Sequence, residues 1–484
     1  MPENKNNVFD EIQEYTGDYI KLLLEAVKEG LYIAADAKNC GKYIGTYHDY
    51  PTLSHRESGL PNLSSSYGGG PIDYRNIYHS YGGDSIAKEN EIYSFVKLIE
   101  FVRSCPSLHY RFNLEIDTPP GGVDIKVDET FITSGIKDSI ERYIHEFGTF
   151  EYDENKAIEA ILPAIKYIFD KTLNIEIHVP ILFIRFGFDE FELSKGVFIK
   201  RIEDNDHLAR TRVKSYNTSA HELVTSSATH AFVLKGWSVP NNERMWNFNT
   251  LYELRAYPLD IINQFFGAFR ISTDVDTGYS QVYSKSIGWG SSYTAKWPCL
   301  QGATIRAYPN WFEDYHWNEK EIPMISSSMV ASIKDAYYSI SNATENSIDL
   351  SIKRLNRCLV RDNEEDSVLD ATIALEALLS DDGNQEMTHK LAMRVGALSK
   401  LDKNTNKTPG QAFKDIKSIY SYRSAIVHGS KSLDKKRVIK IDDENEITAH
   451  NLSVEYLKMV LRVLLENKKY RVPKVIDIEL LLGP

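Results

Sequence analysis

The sequence predicts an α+β N-terminal region, residues 1–320, followed by an all-α helical bundle, residues 321–484. Two observations carry this. Between about 110 and 310, short runs rich in β-branched and aromatic residues dominate, with a few helical stretches among them. From Glu321-Ile-Pro-Met324 onward the apolar residues recur at helical spacing almost without a break. With 42% hydrophobic and 26% charged residues over 484 positions, the composition is that of a globular protein of two or three domains.

Each element follows from its own pattern. Phe9, Ile12, Tyr15, Ile20, Leu23, Leu24 and Val27 predict a helix over 1–36. Residues 49–85 read as irregular, with Leu63-Ser-Ser-Ser-Tyr-Gly-Gly-Gly70 and His79-Ser-Tyr-Gly-Gly83 as loops. A helical pattern returns over 86–104, and others at 134–147, 153–170 and 251–266. Phe191–Ile202 reads as a hairpin turning at Ser194-Lys-Gly196. His230–Lys235 and Ala268–Ser272 read as strands. Six helices are expected in the C-terminal part, at 325–342, 346–360, 366–380, 386–401, 410–428 and 448–468. Thr408-Pro-Gly410 supplies a start for the fifth and Gly429 a stop. The basic Lys431–Arg437 and the acidic Asp442–Glu446 read as a loop between the last two.

Composition narrows the function. No apolar run approaches the ~18 residues of a membrane helix, and the first residues lack the apolar core of a signal peptide. Cys40, Cys105, Cys299 and Cys358 are scattered without a CxxC pair, which predicts a reduced cytoplasmic protein with no zinc site. Residues 325–484 hold 24 Lys+Arg and 23 Asp+Glu; the acid excess of the chain therefore lies wholly before them. A nucleic-acid partner would favour the C-terminal part.

The segment Ile419-Tyr-Ser-Tyr-Arg-Ser-Ala-Ile-Val-His-Gly429 carries the clearest chemistry. An imidazole, with an unperturbed pKa near ~6.5, can move the proton of a 2′-hydroxyl or of a leaving group. A guanidinium can hold a phosphate as its charge grows. Two other arginines precede a histidine by six residues. Arg103/His109 has Pro106 inside it, and Arg201/His207 spans an acidic stretch read as a loop. Only Arg423 and His428 lie in a helical pattern. Residues five apart on a regular helix stand about 140° apart around its axis. The pair meets only if the last turn deforms or two copies of the helix face each other.

Ala374-Leu-Glu-Ala-Leu-Leu379, Lys390-Leu-Ala-Met-Arg-Val-Gly-Ala-Leu398 and Tyr420–Gly429, followed by a closing amphipathic helix, resemble in order the pieces of an ApeA-like HEPN domain. The likeness covers the C-terminal third. It implies a helical bundle that dimerises, and a cofactor-free RNA endonuclease of an antiphage, abortive-infection or toxin-like system. The reaction would be attack of the 2′-hydroxyl on its phosphate, leaving a 2′,3′-cyclic phosphate, with no metal. Arg423 would hold that phosphate and His428 would act as acid or base. Tyr422 and Ser424 would support them; many active members carry Asn, Asp or His where Ser424 stands. The N-terminal region would sense a phage-derived trigger or restrain the site. The rival expectation is an inactive HEPN module for dimerisation or partner binding.

Three further expectations concern charge. Glu376 and Arg394 sit among apolar residues and, if both turn inward, must pair; the pair would then orient Arg423. Lys435, Lys436 and Arg437 are candidate contacts to RNA phosphate. Asp274-Val-Asp-Thr-Gly278 reads as a turn, and His221 and His230 lack metal-ligand company.

Overall fold

Helix α1 (Lys5–Asn39) buries Tyr19, Leu23, Val27, Leu31 and Ala34, a stripe with helical spacing. The computed structural model describes residues 5–67, 69–78, 86–116, 124–213, 220–241, 250–314, 321–381, 387–441 and 445–483. The expected loop at His79–Gly83 lies outside them. Strands β1 (Asp49–His55) and β2 (Pro61–Tyr67) form an antiparallel hairpin where an irregular stretch was expected. Serine-rich β2 holds because Thr52 and Ser64 face each other with hydroxyls 2.6 Å apart. Helices α2 (Tyr93–Ser104), α3 (Pro106–Phe112), α4 (Glu129–Phe147) and α5 (Glu154–Phe169) pack around α1. Between α3 and α4 runs the pair β3 (Asn113–Ile116) and β4 (Asp124–Val127). Asp128 caps α4 by accepting from the Phe131 amide, and left-handed Gly148 closes it.

A six-stranded antiparallel sheet follows. Its members are β5 (Thr172–Leu182), β7 (Glu190–Ser194), β8 (Val197–Arg201), β9 (Ala228–Pro240), β10 (Tyr279–Ser286) and β11 (Leu300–Ala307). The spatial order is β11-β10-β5-β9-β8-β7. The two-residue β6 (Arg185–Phe186) pairs instead with β12 (Met324–Ile325). The hairpin expected at 191–202 is β7–β8. Short helices α6 (Asp204–Ala209) and α7 (Glu222–Ser226) lie before β9. The acidic stretch 201–207, expected as a loop, thus contributes to α6, where His207 is buried.

Ala268–Ser272 is not a strand. It ends helix α8 (Leu259–Ser272), whose Phe265, Phe266, Ala268, Phe269 and Ile271 are all buried. A helix apolar on most sides shows little periodicity, so a short window of it reads as a strand. Phe265 stacks on Phe232 of β9 with centroids 4.3 Å apart, seating α8 on the sheet.

From Ser327 onward the described elements are helices, apart from one short pair of strands. They are α9 (Ser327–Ser341), α10 (Asn346–Cys358), α11 (Glu364–Leu379), α12 (Met387–Ser399), α13 (Pro409–His428), α14 (Leu433–Arg437), α15 (Ala449–Glu466) and α16 (Pro473–Ile476). The expected loop at 431–446 holds α14 and the pair β13 (Val438–Lys440) and β14 (Glu446–Thr448). The helices do not stand clear of the sheet. Gly267 of α8 lies so close to Ile352 of α10 that a Cβ there would come within 2.5 Å of it. Buried Arg270 donates to the side chain and carbonyl of Asn356 at 2.7 and 3.0 Å. Lys458 and Arg462 of α15 donate to the Thr273 and Ile271 carbonyls at the end of α8. A single buried apolar cluster runs from α1 through α8 to α15. No helix among the described residues is long and apolar enough to cross a membrane.

Candidate functional site

Helix α13 is capped at both ends by the residues its sequence announces. The Thr408 hydroxyl accepts from the Gln411 amide, and Pro409 occupies the first turn. At the other end Gly429, at φ 61°, turns the chain left-handed. The Ser430 and Gly429 amides then bond back to the Ala425 and Ile426 carbonyls at 3.0 and 3.3 Å. Buried Asp415 fastens the helix to α15. It accepts from Tyr456 Oη at 2.7 Å and from Gln411 Nε2 at 2.6 Å.

Arg423 leaves α13 on the side facing α11. Its Nη2 lies 3.4 Å from Glu376 Oε1, and its Cζ stands 5.9 Å from the ring of Tyr420. The Tyr420 hydroxyl donates to the Thr372 carbonyl at 3.4 Å. Burial first, and then the Glu376 carboxylate, push the Tyr420 pKa well above its ordinary value. The guanidinium is not saturated. Its Nε–H is buried without a partner, while the side chain keeps 34% exposure. Arg423 is therefore a half-open cation whose direction is fixed by one carboxylate and one ring.

His428 is exposed in the last turn of α13, as is Ser424 one turn earlier. The helix is regular to its end, so its last turn does not bring His428 round to Arg423. Within one chain the two leave the helix about 140° apart. Tyr422 is buried on a different side, toward Glu364 and Glu365 at the start of α11; burial first raises its pKa.

The expected Glu376–Arg394 pair does not form. Arg394, 1% exposed, donates Nε and Nη2 to Asp477 at 2.8 and 2.6 Å, Nη2 to Asp381 at 2.8 Å, and Nη1 to the Leu379 carbonyl at 2.5 Å. Two nearer carboxylates satisfy it, so Glu376 is left to Arg423. Arg394 fastens the segment after α16 to α12 and does not orient Arg423. The basic run is also partly committed. Arg437 pairs with Glu364 at 2.8 Å, and Lys436 donates to the Ser421 carbonyl at 3.4 Å, while Lys435 is exposed.

Sequence reasoning passed over Tyr420 in favour of Tyr422. The available signal was position: three residues before Arg423, Tyr420 shares its side of the helix, and Tyr422 does not. The other Arg/His pairs are otherwise engaged. His109 Nε2 lies 3.0 Å from the Arg103 carbonyl, and buried His207 receives Arg210 Nε at 3.2 Å. Among the described residues no group of three or more His, Cys, Asp or Glu is placed to hold a metal ion. Comparison with protein-family models, curated proteins and solved structures returns no match.

Proposed function

We propose that the chain is a HEPN-type RNA endonuclease that cleaves by 2′-hydroxyl attack without a metal, as part of an antiphage or toxin-like system. The observation that carries this reading is the contact between Glu376 and Arg423. It joins two of the segments on which the resemblance rests, and it holds a guanidinium with N–H capacity to spare. That group can take a phosphodiester oxygen as charge builds. His428 supplies the proton-transfer group, and among the described residues none holds its ring.

Because Arg423 and His428 diverge on one helix, the working site needs two copies. A homodimer with α13 helices facing across a two-fold axis would pool two arginines and two histidines in one groove. One imidazole would then remove the 2′-hydroxyl proton and the other would protonate the leaving 5′-oxygen. The N-terminal region would restrain this groove until its trigger arrives. The same divergence favours a second reading, a silent module that dimerises or binds a partner.

Incubation of the purified chain with RNA in EDTA decides between them. Cleavage leaving 2′,3′-cyclic phosphate ends, lost in His428→Ala and Arg423→Lys, is expected; lysine offers a point charge where the site uses a planar fork. Cleavage that EDTA abolishes and magnesium restores would overturn the mechanism. Absence of cleavage together with an intact dimer would leave the binding module.

A further inference from the structure

A polar cleft of about 210 Å³ opens between α4, the start of α6, β10 and the loop 293–298. Its charged lining is Arg142, Lys285 and Lys296 against Glu146, Glu203 and Asp206. Each acid is already engaged. Lys285 Nζ lies 2.8 Å from both oxygens of Asp206. Lys200 meets Glu203 at 3.6 Å, and the Tyr293 hydroxyl donates to Glu146 at 3.3 Å. Two of the cations have no ion pair among the described residues. Among the described residues Arg142 has no carboxylate at ion-pair distance; its guanidinium stands 4.8 Å over the Tyr293 ring. Burial pulls its pKa down, against the opposing pull of Tyr293, Glu146 and Asp138. Lys296 is exposed and likewise has no ion-pair partner.

The backbone that presents Lys296 is strained. Ala295 and Lys296 follow one another at φ 35° and 68°, a left-handed pair without glycine. Each such residue costs about 1–3 kcal/mol and persists only where its surroundings fix it. Here they do. The Trp297 amide donates to the Thr294 carbonyl at 2.7 Å, the Ala295 amide to the Tyr47 hydroxyl at 3.3 Å, and the Trp297 indole to the Tyr50 hydroxyl at 3.0 Å. Three clamps thus hold an unpaired ammonium on the same cleft as an unpaired guanidinium.

We propose that this cleft binds a phosphomonoester, its phosphate resting on Arg142 and Lys296. A guanidinium fork and an ammonium match a tetrahedral dianion. A dianion draws about twice the Coulomb attraction of a singly charged carboxylate from the two cations. The volume exceeds several times the ~30 Å³ share of one water, which leaves space for a small organic group beside the phosphate. No ring face is open for stacking a base: Arg142 covers Tyr293, while Arg212 and Tyr50 flank Trp297. Recognition is therefore by charge.

Calorimetric titration of the full chain with glycerol 3-phosphate and with inorganic phosphate tests this. Saturable binding is expected, tighter for the ester, and weakened about tenfold or more in Arg142→Gln and in Lys296→Gln. Lys296 is exposed, so an unchanged melting temperature in that variant separates lost binding from lost fold. Absence of binding at millimolar probe, or binding that survives both substitutions, overturns the proposal. Binding lost in Arg423→Gln instead would move the phosphate to α13 and overturn it equally.

Discussion

Arg394 and Arg423 lie on neighbouring helices, yet the fold treats their guanidinium groups oppositely. Arg394 is sealed, with two carboxylates and a carbonyl around its guanidinium. Arg423 has one loose carboxylate contact, an unpartnered Nε–H and an open edge. A saturated guanidinium holds structure together, whereas an unsaturated one is available to a ligand. The histidines divide the same way. His207 and His230 are buried, and burial lowers their pKa values to about 2 and about 4. His428 stands in solvent.

His428→Ala should lower RNA cleavage by about 10²–10⁴-fold with the melting temperature unchanged; a loss under about tenfold would remove His428 from the chemistry. Arg394→Ala should do the reverse. It should cost about 3 kcal/mol in urea unfolding, near the low end for breaking a buried pair, because Asp381 and Asp477 keep some contact with water. Stability unaffected by that change would undo the distinction between the two arginines.

Acid sharpens the histidine half. His207 and His230 bind protons less readily in the folded chain than in the unfolded one, so folding favours their neutral forms. Their contribution is present above pH ~6.5 and is lost as pH falls, down to about 4 for His230 and about 2 for His207. Each should cost about 1.4 kcal/mol per pH unit over its window. Urea midpoints between pH 7 and 5 should fall by less in His230→Gln than in the parent; equal slopes would remove His230 from the account. The smallest effect is expected of Glu376→Gln: under about 1 kcal/mol of stability, since a partly exposed pair contributes little. RNA binding should be retained or strengthened once Arg423 loses its competitor, as a filter-binding titration would show.

The longer helices of the C-terminal part were legible because their apolar residues recur at helical spacing, and four of them start at a side-chain cap: Ser326, Asn363, Thr408 and Thr448. Thr408 and Gly429 mark α13 to the residue. Only the end of α8, Ala268–Ser272, was misread, because its residues are buried almost without a break, whereas 259–266 fell in an expected helical stretch; β2 was missed because serines concealed a hairpin with a cross-strand hydroxyl contact. At the candidate site the sequence singled out both Glu376 and Arg423, which the structure brings together, but assigned Glu376 to Arg394. Partner choice among charges depends on which carboxylates the fold brings nearest, and Asp477 lies 83 residues from Arg394 along the chain. The cleft at Arg142 had no sequence signal, since its walls come from four separate segments.

The end of α8 is gripped by Lys458 and Arg462, and its flank by Asn356 through Arg270. Such interlocking bears on how the molecule comes apart. Melting α8 with the sheet it packs on would strip Lys458 and Arg462 of their carbonyls, and melting α15 would bare the apolar flank of α8. Calorimetry should therefore record one heat-absorption peak, with a van't Hoff enthalpy equal to the calorimetric one. A protease cut near residue 320 should leave two pieces that stay associated until both unfold.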